Sequence, residues 1–79
     1  MEHLTEPRLE EIFRYVFKLG PDADVTLVEQ GDIPEWDSLA HVSLVLAIES
    51  EFGIHVDAAE SLELTSYEAV TRYLQERGL

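Results

Sequence analysis

The residues best placed to do chemistry are Asp37, Ser38 and His41, which open an apolar run extending to Phe52. Three readings of Ser38 follow from that placement. A serine ahead of an apolar run can cap a helix and do nothing more. It could act as a nucleophile with His41 one turn along. However, Asp37 is badly placed to orient that imidazole, no glycine-rich oxyanion turn is present, and 79 residues leave little chain for a substrate cleft. Its hydroxyl could instead carry a phosphate ester, because free amides and the positive end of a helix dipole stabilise an anion there. Asp22 and Asp24 invite a calcium-loop reading, but the sixth position is Leu27 rather than Gly and the twelfth is Ile33 rather than Glu. His3, His41 and His55 fall in different segments and make a poor metal set.

The elements that must position Ser38 are legible as helices. Leu9, Ile12, Phe13 and Val16 recur at helical spacing, with Phe17 beside Phe13, and predict a first helix over Leu4 to Leu19. Thr5 is its expected cap, Pro7 is tolerated in its first turn, and Gly20-Pro21 is its expected stop. Residues 21–35 form a long connection with Val25, Leu27, Val28 and Ile33 as expected anchors. The second helix starts at an Asp37 or Ser38 cap and runs to Phe52, with Gly53 closing it. Ile54 to Val56 is a short extended link. Asp57 and Glu60 make a capping box for a third helix of one or two turns, and Thr65 with Glu68 a second box for a last helix over Ser66 to Arg77. The tyrosines are expected in or at the edge of the core. Trp36 either packs locally over Ile33 and Pro34 or joins a partner surface, and His41 is expected half-buried with a backbone partner. The fold class predicted is all-α, a small bundle of three main helices plus one short third helix, in a single domain over residues 1–79.

The second helix carries apolar surface on well over half its circumference, which either makes it a central helix wrapped by all its neighbours or leaves part of it exposed. At 100° per residue, Leu44, Val45, Ile48 and Phe52 form one stripe suited to the core. Leu39, Val42 and Leu46 form another, with Glu49 at its edge, expected to stay partly exposed beside Ser38 as a partner-docking ridge.

Charge narrows the partners. Formal net charge is −12, and all five basic residues, Arg8, Arg14, Lys18, Arg72 and Arg77, lie towards the ends. Twelve acids and no Lys or Arg fall between Leu19 and Thr71, so the centre carries the whole surplus. That sign disfavours nucleic acid and anionic membranes and favours partners with basic docking patches. There is no cysteine, and the apolar run from Leu44 to Ile48 is far too short to span a bilayer. A monomeric cytoplasmic protein is expected.

Asp37-Ser38-Leu39, followed in register by Leu44, Glu49, Phe52, Ile54, Thr65 and Tyr73-Leu74, resembles the acyl carrier proteins and their peptidyl-carrier cousins. The resemblance runs the length of the chain. It implies a non-catalytic carrier with a four-helix bundle, whose Ser38 bears 4′-phosphopantetheine. A phosphopantetheinyl transferase would install the group from coenzyme A with magnesium, and Asp37 would serve transferase and magnesium recognition. The reactive thiol that the chain lacks would arrive on that arm and hold acyl or aminoacyl cargo as a thioester. Leu39, Val42, Leu46 and Glu49 would dock a loading ligase or transferase and downstream enzymes. Ala40, Ser43 and Ser50 stand where fatty-acid-synthesis carriers commonly have acids, and the W-D-S-L form is similar to stand-alone carriers of specialised pathways. Polyketide, nonribosomal-peptide or related biosynthesis is therefore expected ahead of housekeeping fatty-acid synthesis. The rival of another class is an unmodified helical adaptor for a basic partner.

Overall fold

The computed structural model describes residues 5–79. Expectations placed on Leu4 and His3 lie outside that range. Four helices follow in order: α1 (Thr5–Phe17), α2 (Ser38–Phe52), α3 (Ala58–Ser61) and α4 (Tyr67–Glu76), with a 3-10 turn at Val25–Leu27 in the long connection. Among the described residues there is no strand, only isolated bridges, and no helix is long and apolar enough to cross a membrane. The all-α bundle is as expected.

α1 packs against α2 through Leu9, Phe13 and Phe17, which are fully buried with Leu44 and Ile48 of α2 and with Val70 and Leu74 of α4. Phe13 sits at the centre of an aromatic cluster, edge-on to Phe17 at 5.4 Å, to Trp36 at 5.7 Å and to Tyr67 at 5.1 Å. Edge-to-face pairs of this kind add about 0.5–1.5 kcal/mol each beyond the area they bury. Tyr67 and Tyr73 belong to the core as expected, but Tyr15 is 86% exposed. It lies between the buried Phe13 and Phe17 in sequence, on the opposite side of a helix whose core stripe is already filled.

Three local expectations are corrected. α1 ends at Phe17, not at Leu19, because Lys18 turns left-handed at φ 57°. The Leu19 amide then reaches the Arg14 carbonyl at 3.0 Å, and Leu19 packs on the core. This six-to-one bond is the Schellman closure, made here by a lysine where glycine is usual. Leu27 is 72% exposed and anchors nothing, whereas Val25 and Val28 are buried. Three residues per turn bring positions 25 and 28 onto one side and rotate 27 away. Finally, Ser66, not Thr65, caps α4, its hydroxyl accepting from the Ala69 amide at 3.0 Å. Thr65 and Ser66 are held extended by the long connection, through Gln30 N to Thr65 O (2.8 Å) and Tyr67 N to Val28 O (3.0 Å). The Asp57/Glu60 capping box on α3 is present on both sides.

Candidate functional site

Asp37 decides the geometry around Ser38. Its backbone is extended (φ −96°, ψ −174°), its Oδ1 accepts from the Ala40 amide at 2.8 Å, and its carbonyl accepts from the His41 amide at 2.9 Å. Asp37 is thus the N-cap and Ser38 the first helical residue, with both exposed. Capping by the aspartate leaves the serine hydroxyl free of that duty. The amides of Ser38 and Leu39 begin the helix, where no preceding turn supplies a carbonyl. An exposed hydroxyl beside such amides fits a covalently attached phosphate ester.

The ridge is exposed along its length. Leu39 is 76% accessible, Val42 54% and Leu46 58%. The inner stripe of the same helix is closed, with Leu44 and Ile48 fully buried and Val45 and Phe52 packed against the core. Leu62, just past α3, adds another exposed apolar side chain that the spacing did not single out. Its only sequence signal is its place immediately after a four-residue helix too short to bury a stripe. Glu49, at the edge of the ridge, is turned inward: Oε2 accepts from the Val56 amide at 2.8 Å and lies 3.4 Å from His55 Nδ1. One carboxylate oxygen thereby fastens the link from α2 to α3.

Charge is distributed as the sequence implies. Arg8 pairs with Glu51 and lies 5.1 Å over the Phe52 ring, Arg72 pairs with Glu68, and Arg77 pairs with Glu60. Arg14 is drawn to the Gly20 carbonyl at 2.6 Å. Among the described residues no Lys or Arg forms an ion pair with Glu35 or Asp37, which border a groove next to Ser38 that Lys18 also lines.

Trp36 and His41 form a unit with Ser61. Trp36, only 4% exposed, stacks on Phe17 with centroids 4.4 Å apart; it belongs to the core and not to a partner surface. Its indole Nε1 donates to His41 Nδ1 at 3.0 Å. An indole N–H can only donate, so in the neutral imidazole the proton sits on Nε2 and is donated to the Ser61 carbonyl at 2.9 Å. The backbone partner expected for His41 is therefore Ser61, contributed by α3.

α3 is also tied to α4. Glu60 accepts from the Tyr73 hydroxyl at 2.9 Å and from the Asp57 amide at 3.2 Å, and it pairs with Arg77, whose guanidinium lies 3.8 Å over the Tyr73 ring. The Tyr73 and Asp57 hydrogen bonds hold the Glu60 carboxyl below its ordinary range. Burial, followed by the bond to Glu60, pushes Tyr73 up to about 12.

No family model matches the chain, and no solved structure matches it. An acyl carrier protein of Bdellovibrio bacteriovorus is 32% identical to it over 74 residues, covering 91% of this chain and 92% of that protein. With a similarity that spans nearly all of both sequences, the chain belongs to the acyl carrier protein family, whose members are non-catalytic and carry a covalently attached 4′-phosphopantetheine.

Proposed function

We propose that Ser38 is the attachment residue for 4′-phosphopantetheine and that the carrier serves a specialised pathway. The observation that carries the first part is the division of labour at the start of α2: Asp37 supplies the cap, and Ser38 keeps an exposed hydroxyl at the first helical position. When bound, the group supplies a flexible arm ending in a thiol that holds acyl or aminoacyl groups as thioesters. The chain's own residues do the rest. The first amides of α2 offer partial positive charge to the phosphate, offsetting the nearby Asp37 carboxylate. Asp37 and Glu35 favour a phosphate delivered together with a divalent cation, which is the role assigned to Asp37 in transferase and magnesium recognition.

Leu39, Val42 and Leu46 form the docking ridge for the transferase, for the loading ligase or transferase, and for downstream enzymes. Glu49 sets its lower edge while bracing Val56. The unpaired acids around Ser38 select partners with basic patches. Support for polyketide, nonribosomal-peptide or related biosynthesis comes from Ala40, Ser43 and Ser50, which leave the docking helix poorer in acids than housekeeping enzymes usually meet. On this reading the chain works as one carrier domain, monomeric and in the cytoplasm.

Incubation with coenzyme A, magnesium and a broad-specificity phosphopantetheinyl transferase, followed by intact mass measurement, tests the assignment. One phosphopantetheine is expected on the wild type and none on Ser38→Ala. Modification of the Ser38→Ala protein would reject Ser38.

A further inference from the structure

We propose that Trp36, His41 and Ser61 form a barrier at the seam between α2 and α3 that keeps the thioester cargo outside the bundle. The cargo class that suits such a carrier is a short or polar acyl or aminoacyl group, which needs no apolar shelter. The inference rests on attachment at Ser38.

Ser38, His41 and Val45 are spaced i, i+3 and i+7 and share one face of α2. A chain tethered at Ser38 and heading for the core along that face meets His41 before it reaches Val45. The His41 ring is held at both nitrogens, by Trp36 Nε1 at 3.0 Å and by the Ser61 carbonyl at 2.9 Å, with the Ser61 hydroxyl 3.2 Å away. Behind it the indole lies nearly parallel to the imidazole, 6.1 Å centre to centre and 23° between planes, and then against Phe17 at 4.4 Å. His41 and Trp36, joined edge to edge by their hydrogen bond, and Phe17 against the indole thus make a continuous series of rings from α2 to α1, tied to α3 at Ser61.

Along that face an alkyl chain would have to part these rings. It would break the bonds at both imidazole nitrogens and leave the indole N–H without its acceptor in a buried site. An alkyl chain has no hydrogen bond to offer in return, so its gain on burial is set against unsatisfied polar groups. An opening near Ser38 lies on the α1 side of α2, a groove of about 340 Å³ bordered by the charged Lys18, Glu35 and Asp37 and by the apolar Val16, Leu39 and Ala40. It does not include Trp36, His41 or Ser61 and is open at the surface, so an arm or cargo lying there leaves the barrier untouched and stays outside the core.

Acetyl- and octanoyl-phosphopantetheine forms are prepared with the promiscuous transferase and the corresponding acyl-coenzyme A thioesters, and intact mass confirms loading. A protein that gains no mass rejects attachment at Ser38 itself, which separates that failure from a failure of the barrier. For the loaded proteins, thermal midpoint and the emission of the sole tryptophan are read. Midpoints within about 1 °C of each other and identical emission are expected. An octanoyl form melting about 5 °C or more above the acetyl form, with shifted Trp36 emission, would overturn the proposal. In His41→Ala, or in Trp36→Phe, which keeps an aromatic core but loses the bond to His41, the octanoyl form should melt several degrees above the acetyl form. Equal midpoints in both variants would overturn the assignment of the barrier to this pair.

Discussion

α1 buries Leu9, Phe13 and Phe17 completely, whereas α3 buries none of its four residues. The first helix is held by apolar contact, which is insensitive to pH and strong in proportion to the surface removed from water. The third is held by directed polar contacts: the Ser61 carbonyl to His41, Glu60 to Tyr73 and Arg77, and the Asp57 box. A four-residue helix has no stripe long enough to bury, so directionality replaces area. Two regions of one small fold should therefore fail under different stresses, α1 with the whole bundle and α3 by itself.

The hardest test of that contrast is Phe13→Ala. Deleting a buried aromatic ring that touches three other aromatic side chains should cost about 3–5 kcal/mol, a large fraction of the stability of a domain this size. Calorimetry or a denaturant melt should show global loss, with every helix melting together. If α1 melted while α2 and α4 persisted, the claim that the aromatic cluster unites them would be lost.

Tyr73→Phe should do less and do it locally. It keeps the ring in the core and removes one hydroxyl bonded to Glu60, a loss on the order of 0.5–1.5 kcal/mol. Amide exchange should accelerate in α3 well before α1 responds. The pH dependence has two limbs. Glu60 is lowered in the folded state, so its contribution is present above about 4.5 and disappears as pH falls through its folded value. Tyr73 is raised to about 12, so its contribution is present below about 10 and disappears as pH rises towards 12. Tyr73→Phe should shrink the alkaline limb, leaving the part due to Tyr67, which burial also raises, and Glu60→Gln should flatten the acid one. An alkaline limb of unchanged size in Tyr73→Phe would assign it to another group.

The same contrast explains what could be read from sequence. Local chemistry was legible: the Asp57/Glu60 box, the Gly53 closure and the two stripes of α2 all depend on residues within one or two turns of each other. Contacts between distant segments were not. Thr65 lost the cap to Ser66 because Gln30 and Val28 hold that segment extended. Trp36 went to Phe17 rather than to its neighbours in sequence, and Glu49 turned to Val56. At the candidate site, Ser38 and the exposure of Leu39, Val42 and Leu46 were readable from spacing. The His41–Ser61 bond was not, because only the half-buried environment of His41 has a local signal, while its partner is set by where α3 lands.

The smallest effect concerns two helix ends that share a conformation and differ in residue. α2 closes on Gly53 at φ 66°, and α1 closes on Lys18 at φ 57°. A side chain in the left-handed region costs about 1–2 kcal/mol, which glycine avoids while giving back part of that in unfolded-chain entropy. Lys18→Gly should therefore stabilise by about 0.5–1 kcal/mol and raise the thermal midpoint by a few degrees. Gly53→Ala should lower it by a similar amount, and a Cβ there would meet no atom within 4 Å, so that loss is conformational alone. Both shifts should appear in global unfolding. Local opening of α3, measured by amide exchange relative to that global limit, should keep its own free energy in Lys18→Gly, because no polar contact of α3 involves the end of α1. A parallel rise in α3 protection would mean that the short helix opens only with the whole bundle, and the distinction between area and direction would be lost.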